Sequence, residues 1–316
     1  MDHVRWLDEP SLHRPTLIAA FTGWNDAGDA ASNAVRHLVE AWNAKPLAEI
    51  DPEEFTDFAT VRPHVRLRPD RSRQIVWPTV GLWHASTPGG DVILLLGPEP
   101  ALRWRLFTEQ VTALAARQNV SMVVTLGALL ADVPHTRPVQ IIGTATEQRL
   151  IDRFDLQRSR YEGPTGIVGV LHDACTQADL PSASLWAAVP AYASQIPSPK
   201  ASLALVSRLC EMLGSPAPIV GLQQESDDYS TRVDRLVADD SDLVGYVDRL
   251  ESMADSGELD DDFDDLDLED ELDDDEDDDV DDLDNDDDTS EFTDVDNTDE
   301  LMAELEQFLR DQGNEQ

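Results

Sequence analysis

The sequence predicts an α/β domain, with a mainly parallel central sheet flanked by helices, followed by a disordered acidic C-terminal tail. Three observations carry this expectation. Apolar runs of strand length, Leu17–Phe21, Asp91–Leu96 and Val120–Leu126, alternate with stretches of helical period. The runs are nearly continuous, the pattern of strands buried on both faces. Acidic residues gather at one end: residues 255–300 hold 29 Asp or Glu and no Lys or Arg, a composition that cannot bury a core.

The first unit is the clearest. Leu17–Phe21 stops at Gly23, a polar turn Trp24-Asn25-Asp26 follows, and Ala27, Ala31, Ala34, Leu38 and Trp42 then share one helical face. Alanines at the helix start let its backbone lie close to the sheet. Residues 1–15 read as a lead-in or edge strand, and Pro63–Asp70 as a strand ending in a turn. Gln74–Trp83 offers short extended pieces broken by Pro78 and Gly81. Gly97–Pro100 turns the chain into a helix over Ala101–Gln118, with Pro100 in its first turn. After the strand Val120–Leu126, a loop runs from Gly127 to Pro138, and Val139–Ile142 is a short strand. Thr144 and Glu147 have capping-box spacing for a short helix. Tyr161–Gly166 is a Gly/Pro loop, Ile167–Gly169 a strand leading to a helix through Cys175–Ala178, and Ser184–Val189 a strand. Ser198-Pro199 caps a helix over Ala201–Leu213 that Gly214 stops, and amphipathic spacing resumes across Tyr229–Ser252.

Charge separates body from tail. The whole chain carries −42; removing the acidic stretch and the −3 of the last sixteen residues leaves −10 for residues 1–254. The expected organisation is therefore an α/β domain over 1–254, helical in its 221–254 part, then an acidic disordered linker over 255–299. A short amphipathic helix, 300–316, closes the chain, with Leu301, Leu305, Phe308 and Leu309 as its apolar, partner-facing stripe. That helix is too short to hold itself folded in water. Cys175 and Cys210 lack C-x-x-C or clustered His partners and read as buried reduced thiols. The N-terminus lacks the apolar core of a signal peptide, and no apolar run reaches the roughly 20 residues needed to span a bilayer. A cytoplasmic protein with no membrane contact is expected.

If the strands are parallel, their exit turns converge at one edge. Those turns hold Gly23, Trp24, Asn25, Asp26, Glu99, His135, Arg137, Glu162, Gly163 and Tyr192, the candidate ligand or partner surface. Asp26 and Asp29 already occupy the positive helix start, so a phosphate there would be repelled. Asn25 or Asp26 reads first as a cap on free backbone N–H groups. His135 is the best single candidate for acid–base work, imidazole being the usual side chain for it, yet no nucleophile–base pair, G-x-S-x-G elbow, phosphate loop or metal-spaced His pair is present. No catalytic residue, cofactor or metal is assigned. The arginines from Arg62 to Arg73 face a net-negative body, which disfavours nucleic acid; a solvated face with local carboxylate partners, or the acidic tail of the same chain or a neighbour, suits them better.

GWNDAGDAAS (Gly23–Ser32) resembles the signature segment of the proteasome assembly chaperone 2 family, in its bacterial, actinobacterial-type branch. LLLGPEPALRW (Leu94–Trp104), TLGALLADVPHTRP (Thr125–Pro138), YEGPTGIVGVL (Tyr161–Leu171) and WAAVPAYASQIPSPKASLALV (Trp186–Val206) resemble it in the same order, over about residues 1–250. The resemblance implies a sheet similar to phosphorylase/hydrolase-like folds and a role in protein assembly. Related assembly proteins often dock by a C-terminal hydrophobic–Tyr–X motif, whereas this sequence ends Gly313-Asn314-Glu315-Gln316. Two readings follow: a non-enzymatic, self-associating (homo-oligomeric) protein-binding factor whose acidic tail tethers a terminal helix, or a phosphorylase- or hydrolase-type enzyme acting on a small molecule at the strand-end loops.

Overall fold

The computed structural model describes residues 3–258. The acidic stretch beyond Glu258 and the helix carrying Leu301, Leu305, Phe308 and Leu309 lie outside them. The domain opens with strand β1 (Val4–Trp6), then β2 (Thr16–Thr22), helix α1 (Ala30–Ala41) and β3 (Lys45–Ile50). A ribbon of β4 (His64–Leu67) and β5 (Arg73–Val76) precedes β6 (Val80–Thr87), β7 (Gly90–Pro98) and α2 (Trp104–Arg117). Next come β8 (Met122–Ala131), β9 (Ile141–Ala145), α3 (Gln148–Phe154), α4 (Ile167–Gln177) and β10 (Ser182–Pro190). Three helices finish the described chain: α5 (Pro199–Leu213), α6 (Val220–Ala238) and α7 (Ser241–Ser256).

One eight-stranded sheet has the order β1-β3-β6-β7-β2-β8-β10-β9. Its centre, β7-β2-β8-β10, is parallel. The flanks are antiparallel, β1-β3-β6-β7 on one side and β9 against β10 on the other. The expected mainly parallel sheet is thus corrected to a mixed one. β6 is a single strand through Gly81, and Pro88-Gly89 joins it to β7 so tightly that only an antiparallel hairpin fits.

Alternation along the central strands builds two cores. Ile18, Ala20, Leu94, Val124 and Leu126 face α1 and α5. Leu17, Ala19, Phe21, Ile93, Leu95 and Val123 face α2 and α4. Helices therefore cover both faces, and α6 lies on α5 with α7 on α6. The small residues Ala30, Ala31 and Ala34 are fully buried, as their closeness to the sheet requires.

Several local expectations change. Ile167–Gly169 is the first turn of α4 and not a strand. α2 starts at Trp104, so Pro100 precedes the helix. β8 continues through Gly127 to Ala131, in ground expected to be loop. Thr144 lies in β9, and Glu147 precedes α3 without a side-chain cap, so the capping box does not form. The helical part expected over residues 221–254 consists of two helices, α6 and α7, with Asp240 capping the second through Asp242 and Leu243 N–H. That helix carries Asp255, placed by composition in the linker. Both cysteines are buried, and burial pushes their thiols up to about 12 (Cys175) and about 11 (Cys210). Among the described residues no helix is long and apolar enough to cross a membrane.

Candidate functional site

The four parallel strands end at one edge, and the turns leaving them carry most of the candidate residues. They form two separate hydrogen-bonded groups. The first surrounds Asn25. Its Nδ2 donates to Glu99 Oε1 at 2.7 Å, and the N–H of Ile167, first residue of α4, donates to the same oxygen at 2.8 Å. Glu99 thereby ties the turns after β2 and β7 to the positive end of α4. The carbonyl of Asn25 accepts from Ala128 N–H at 2.9 Å. Gly166 closes the other side, since a Cβ there would lie 2.3 Å from Asn25 Oδ1.

Asp26 acts as the cap expected of it. Its Oδ1 accepts from Ala31 N–H at 2.8 Å and Ser32 N–H at 3.0 Å. Asp29 instead takes a left-handed backbone, φ 51°, just before α1. Burial raises the Asp26 carboxyl to about 6. An anion has no place at this helix start because a side-chain carboxylate fills it. Gly28, at φ +56°, lets its carbonyl accept from Ser198 N–H at 2.7 Å; a Cβ would meet Ser198 and Val189 at 3.1–3.3 Å. Trp24 is the large apolar side chain of this turn that faces solvent.

The second group surrounds the buried His135. Its backbone N–H donates to Tyr192 Oη at 2.7 Å, its Nδ1 lies 2.7 Å from the same oxygen, and its Nε2 lies 2.9 Å from Asp234 Oδ1 on α6. The Tyr192 hydroxyl thus bridges the backbone N–H and the Nδ1 of His135, and Asp234 holds the other ring nitrogen. Lys200 donates to the carbonyls of His135 and of Arg137, the latter at 2.7 Å, and burial lowers its pKa. Arg137 forks onto Asp255 of α7 with two bonds of 2.8 Å, and Tyr246 of α7 donates to Asp132 at 2.5 Å. These groups clamp α6 and α7 onto the loop after β8. Glu162 and Gly163 join neither group; they lie in an exposed turn closed by a bond from Tyr161 Oη to the Pro164 carbonyl, 2.5 Å.

The PAC2 family model matches residues 20–237. The chain belongs to the PAC2 family. Its sequence is 44% identical to a PAC2 family protein from Streptomyces avermitilis, covering 74% of this chain and 99% of that one with a TM-score of 0.69. A proteasome-assembly chaperone homologue from Mycobacterium tuberculosis is also 44% identical, covering 73% of this chain and 99% of that one with a TM-score of 0.67. An archaeal proteasome activator from Pyrococcus furiosus shares the fold at 15% identity, with a TM-score of 0.61 over 74% of this chain and 97% of that one. No curated protein matches the sequence.

The PAC2 match includes the whole Asn25 group and the His135–Asp234 pair, and stops before α7. The ties from Arg137 and Asp132 to α7 therefore lie partly beyond it. The cavity beside His135, lined by Pro134, Arg137, Ser198, Lys200 and Tyr229, holds about 40 Å³, room for a few waters. Among the described residues, no cluster of three His, Cys, Asp or Glu is arranged to hold a metal ion.

Sequence reading of this PAC2 domain overlooked Asp234, Lys200, Tyr246 and Glu251, the last on α7, 3.5 Å from Arg137. Lys200 carried a weak signal, being one of only two lysines; Asp234 sits among many similar acids on α6 and carried none. Tyr192→Phe is expected to cost about 2 kcal/mol, because His135 loses both the acceptor of its N–H and the partner of its Nδ1. Urea denaturation measures it, and a loss below about 0.5 kcal/mol would show that water replaces the hydroxyl.

Proposed function

We propose that this chain is a protein-binding assembly factor that works through the carboxyl edge of its sheet and carries no reaction of its own. One observation carries the reading. Asn25, Asp26, Glu99, His135 and Arg137 of that edge are engaged within the fold, while large apolar side chains beside them face solvent. Trp24, after β2, is 62% exposed; Leu102, after β7, is 50% exposed; Trp77, before β6, is 46% exposed. Strands β6, β7 and β2 are consecutive neighbours, so these side chains follow one another along one edge. Aromatic and aliphatic anchors of this kind dominate protein contacts.

The names of its relatives supply the partner class, proteasome components, and the same edge serves self-association. A cytosolic setting agrees with the two buried thiols. The phosphorylase- or hydrolase-type alternative lacks comparable support, since Asn25, Glu99 and His135 are occupied internally.

The test is the double variant Trp24→Asp/Leu102→Asp, assayed for binding to purified proteasome α-subunits and for self-association by sedimentation velocity. Both side chains are exposed, so thermal melting should stay within about 2 °C of the parent. Binding should weaken about 10-fold or more. Unchanged binding and unchanged sedimentation would remove this edge from consideration.

A further inference from the structure

The β4–β5 ribbon stands apart from the main sheet. Its register sets Val65 opposite Ile75 and Leu67 opposite Arg73, so Val65, Leu67 and Ile75 share one face, with Arg73 at its end, and His64, Arg66, Gln74 and Val76 share the other. The apolar face is open: Val65 is 63%, Leu67 67% and Ile75 54% exposed. A two-stranded ribbon is marginal by itself, and its outer backbone edges are unpaired templates for another strand. Residues 62–73 hold five arginines against one acid, Asp70. Among the described residues none of those arginines forms an ion pair; Arg68 alone bonds a side chain, Gln74 Oε1, at 3.2 Å.

The chain itself contains the complement. Residues 260–271 hold nine acids and no base. Within them Leu266 and Leu268 alternate with Asp265, Asp267 and Glu269, the period of a strand with one apolar and one acidic face. Position permits the meeting. β6 begins at Val80 beside the carboxyl end of β7, so the ribbon leaves from the carboxyl edge. The end of α7 packs at that edge too, with Met253 and Ala254 against Val133 and Ala188. β6 and β8 are three strand spacings apart, about 15 Å. Six extended residues beyond Glu258 span about 20 Å.

We propose that residues 264–270 of the same chain dock on the β4–β5 ribbon as an added strand. Leu266 and Leu268 then cover Val65, Leu67 and Ile75, while Asp265, Asp267 and Glu269 meet Arg66 and its neighbours. A second copy's ribbon is a poorer occupant, because it sets arginines against arginines. Nucleic acid is repelled by the charge of −42. The contact keeps an apolar, cationic surface covered within the chain, and strand addition supplies main-chain bonds while the alternating side chains select the register.

Amide hydrogen exchange on the full-length chain tests this at residues 62–77. Protection there should be independent of protein concentration. It should fall about 10-fold in Leu266→Asn/Leu268→Asn, and also in 1 M salt, where the Debye length shrinks to about 3 Å. Arg66→Glu/Arg68→Glu should lose it, and adding Asp265→Arg/Asp267→Arg should restore it. Three results would overturn the proposal: equal protection in parent and leucine variants, protection that rises with concentration (a second copy), or protection that appears only on adding a single-stranded oligonucleotide.

Discussion

Glu99→Ala is expected to lower the stability of the domain by about 2–4 kcal/mol. One carboxylate oxygen serves two donors, Asn25 Nδ2 at 2.7 Å and Ile167 N–H at 2.8 Å. Asn25 and Ile167 are both buried, so water does not readily replace the lost acceptor. Asn25 suffers twice, because its Oδ1 has no partner and its Nδ2 would lose the one it has. The negative charge also sits at the start of α4, where it complements the helix dipole. Glu99→Gln keeps an acceptor oxygen in the same place and should recover at least half of the loss. Urea unfolding of the two variants beside the parent measures both effects. A cost below about 1 kcal/mol for the alanine variant would mean the turns are held by packing alone. Displacing this corner also moves Trp24, one residue away, so partner binding should weaken in the same order as stability.

Asp26 should impose a pH dependence of opposite sign to that of a salt-bridged carboxylate. Burial raises its folded-state pKa to about 6 from the ordinary 3.8. The folded state thus holds the proton more tightly than the unfolded chain. Its stabilising contribution is complete below pH 3.8 and is lost as pH rises through about 6. The difference between those values corresponds to roughly 3 kcal/mol. Asp26→Asn keeps the acceptor for Ala31 and Ser32 and removes the titration. Subtracting its denaturation profile from the parent's between pH 4 and pH 7.5 cancels groups such as Asp91, whose bonds from Ser86 and His13 lower its pKa and favour folding at higher pH. The subtracted curve should descend between about pH 4 and 6.5. A flat difference would show that Asp26 stays ionised in the fold.

How much was legible depended on how local the cause was. The β2–α1 corner read correctly because each part is set within a few residues: the apolar strand, the alanine face, and the carboxylate of Asp26 beside the N–H groups it caps. Ile167–Gly169 misread as a strand because β-branched residues beside a Gly/Pro loop suit one. Its helix begins there because Glu99, 68 positions earlier, receives the N–H of Ile167. Pro78 does separate β5 from β6, but the antiparallel flank misread because Gly81 looked like a second break, whereas pairing with β3 and β7 carries β6 straight through it.

The candidate residues followed the same division. Sequence placed them on turns and could not pair them. Asp234 lies 99 positions from His135 and 62% of its side chain is exposed, so nothing in its neighbourhood marks it. Arg137 read as an edge residue, while the fold turns it toward Glu251 and Asp255. By itself the sequence determined the α/β class, the buried central strands, the capped corner at Gly23–Ser32, the contrast of charge between body and tail, and the family resemblance. Those rest on periodicity, composition and short-range hydrogen bonding, which act within a few residues. Only the tertiary structure decided the mixed strand directions, the division of the edge into two internal networks, and the exposure of Trp24, Leu102 and the β4–β5 ribbon. Each of these depends on which distant segment arrives to pair with a backbone edge, satisfy a buried polar group or cover an apolar side chain.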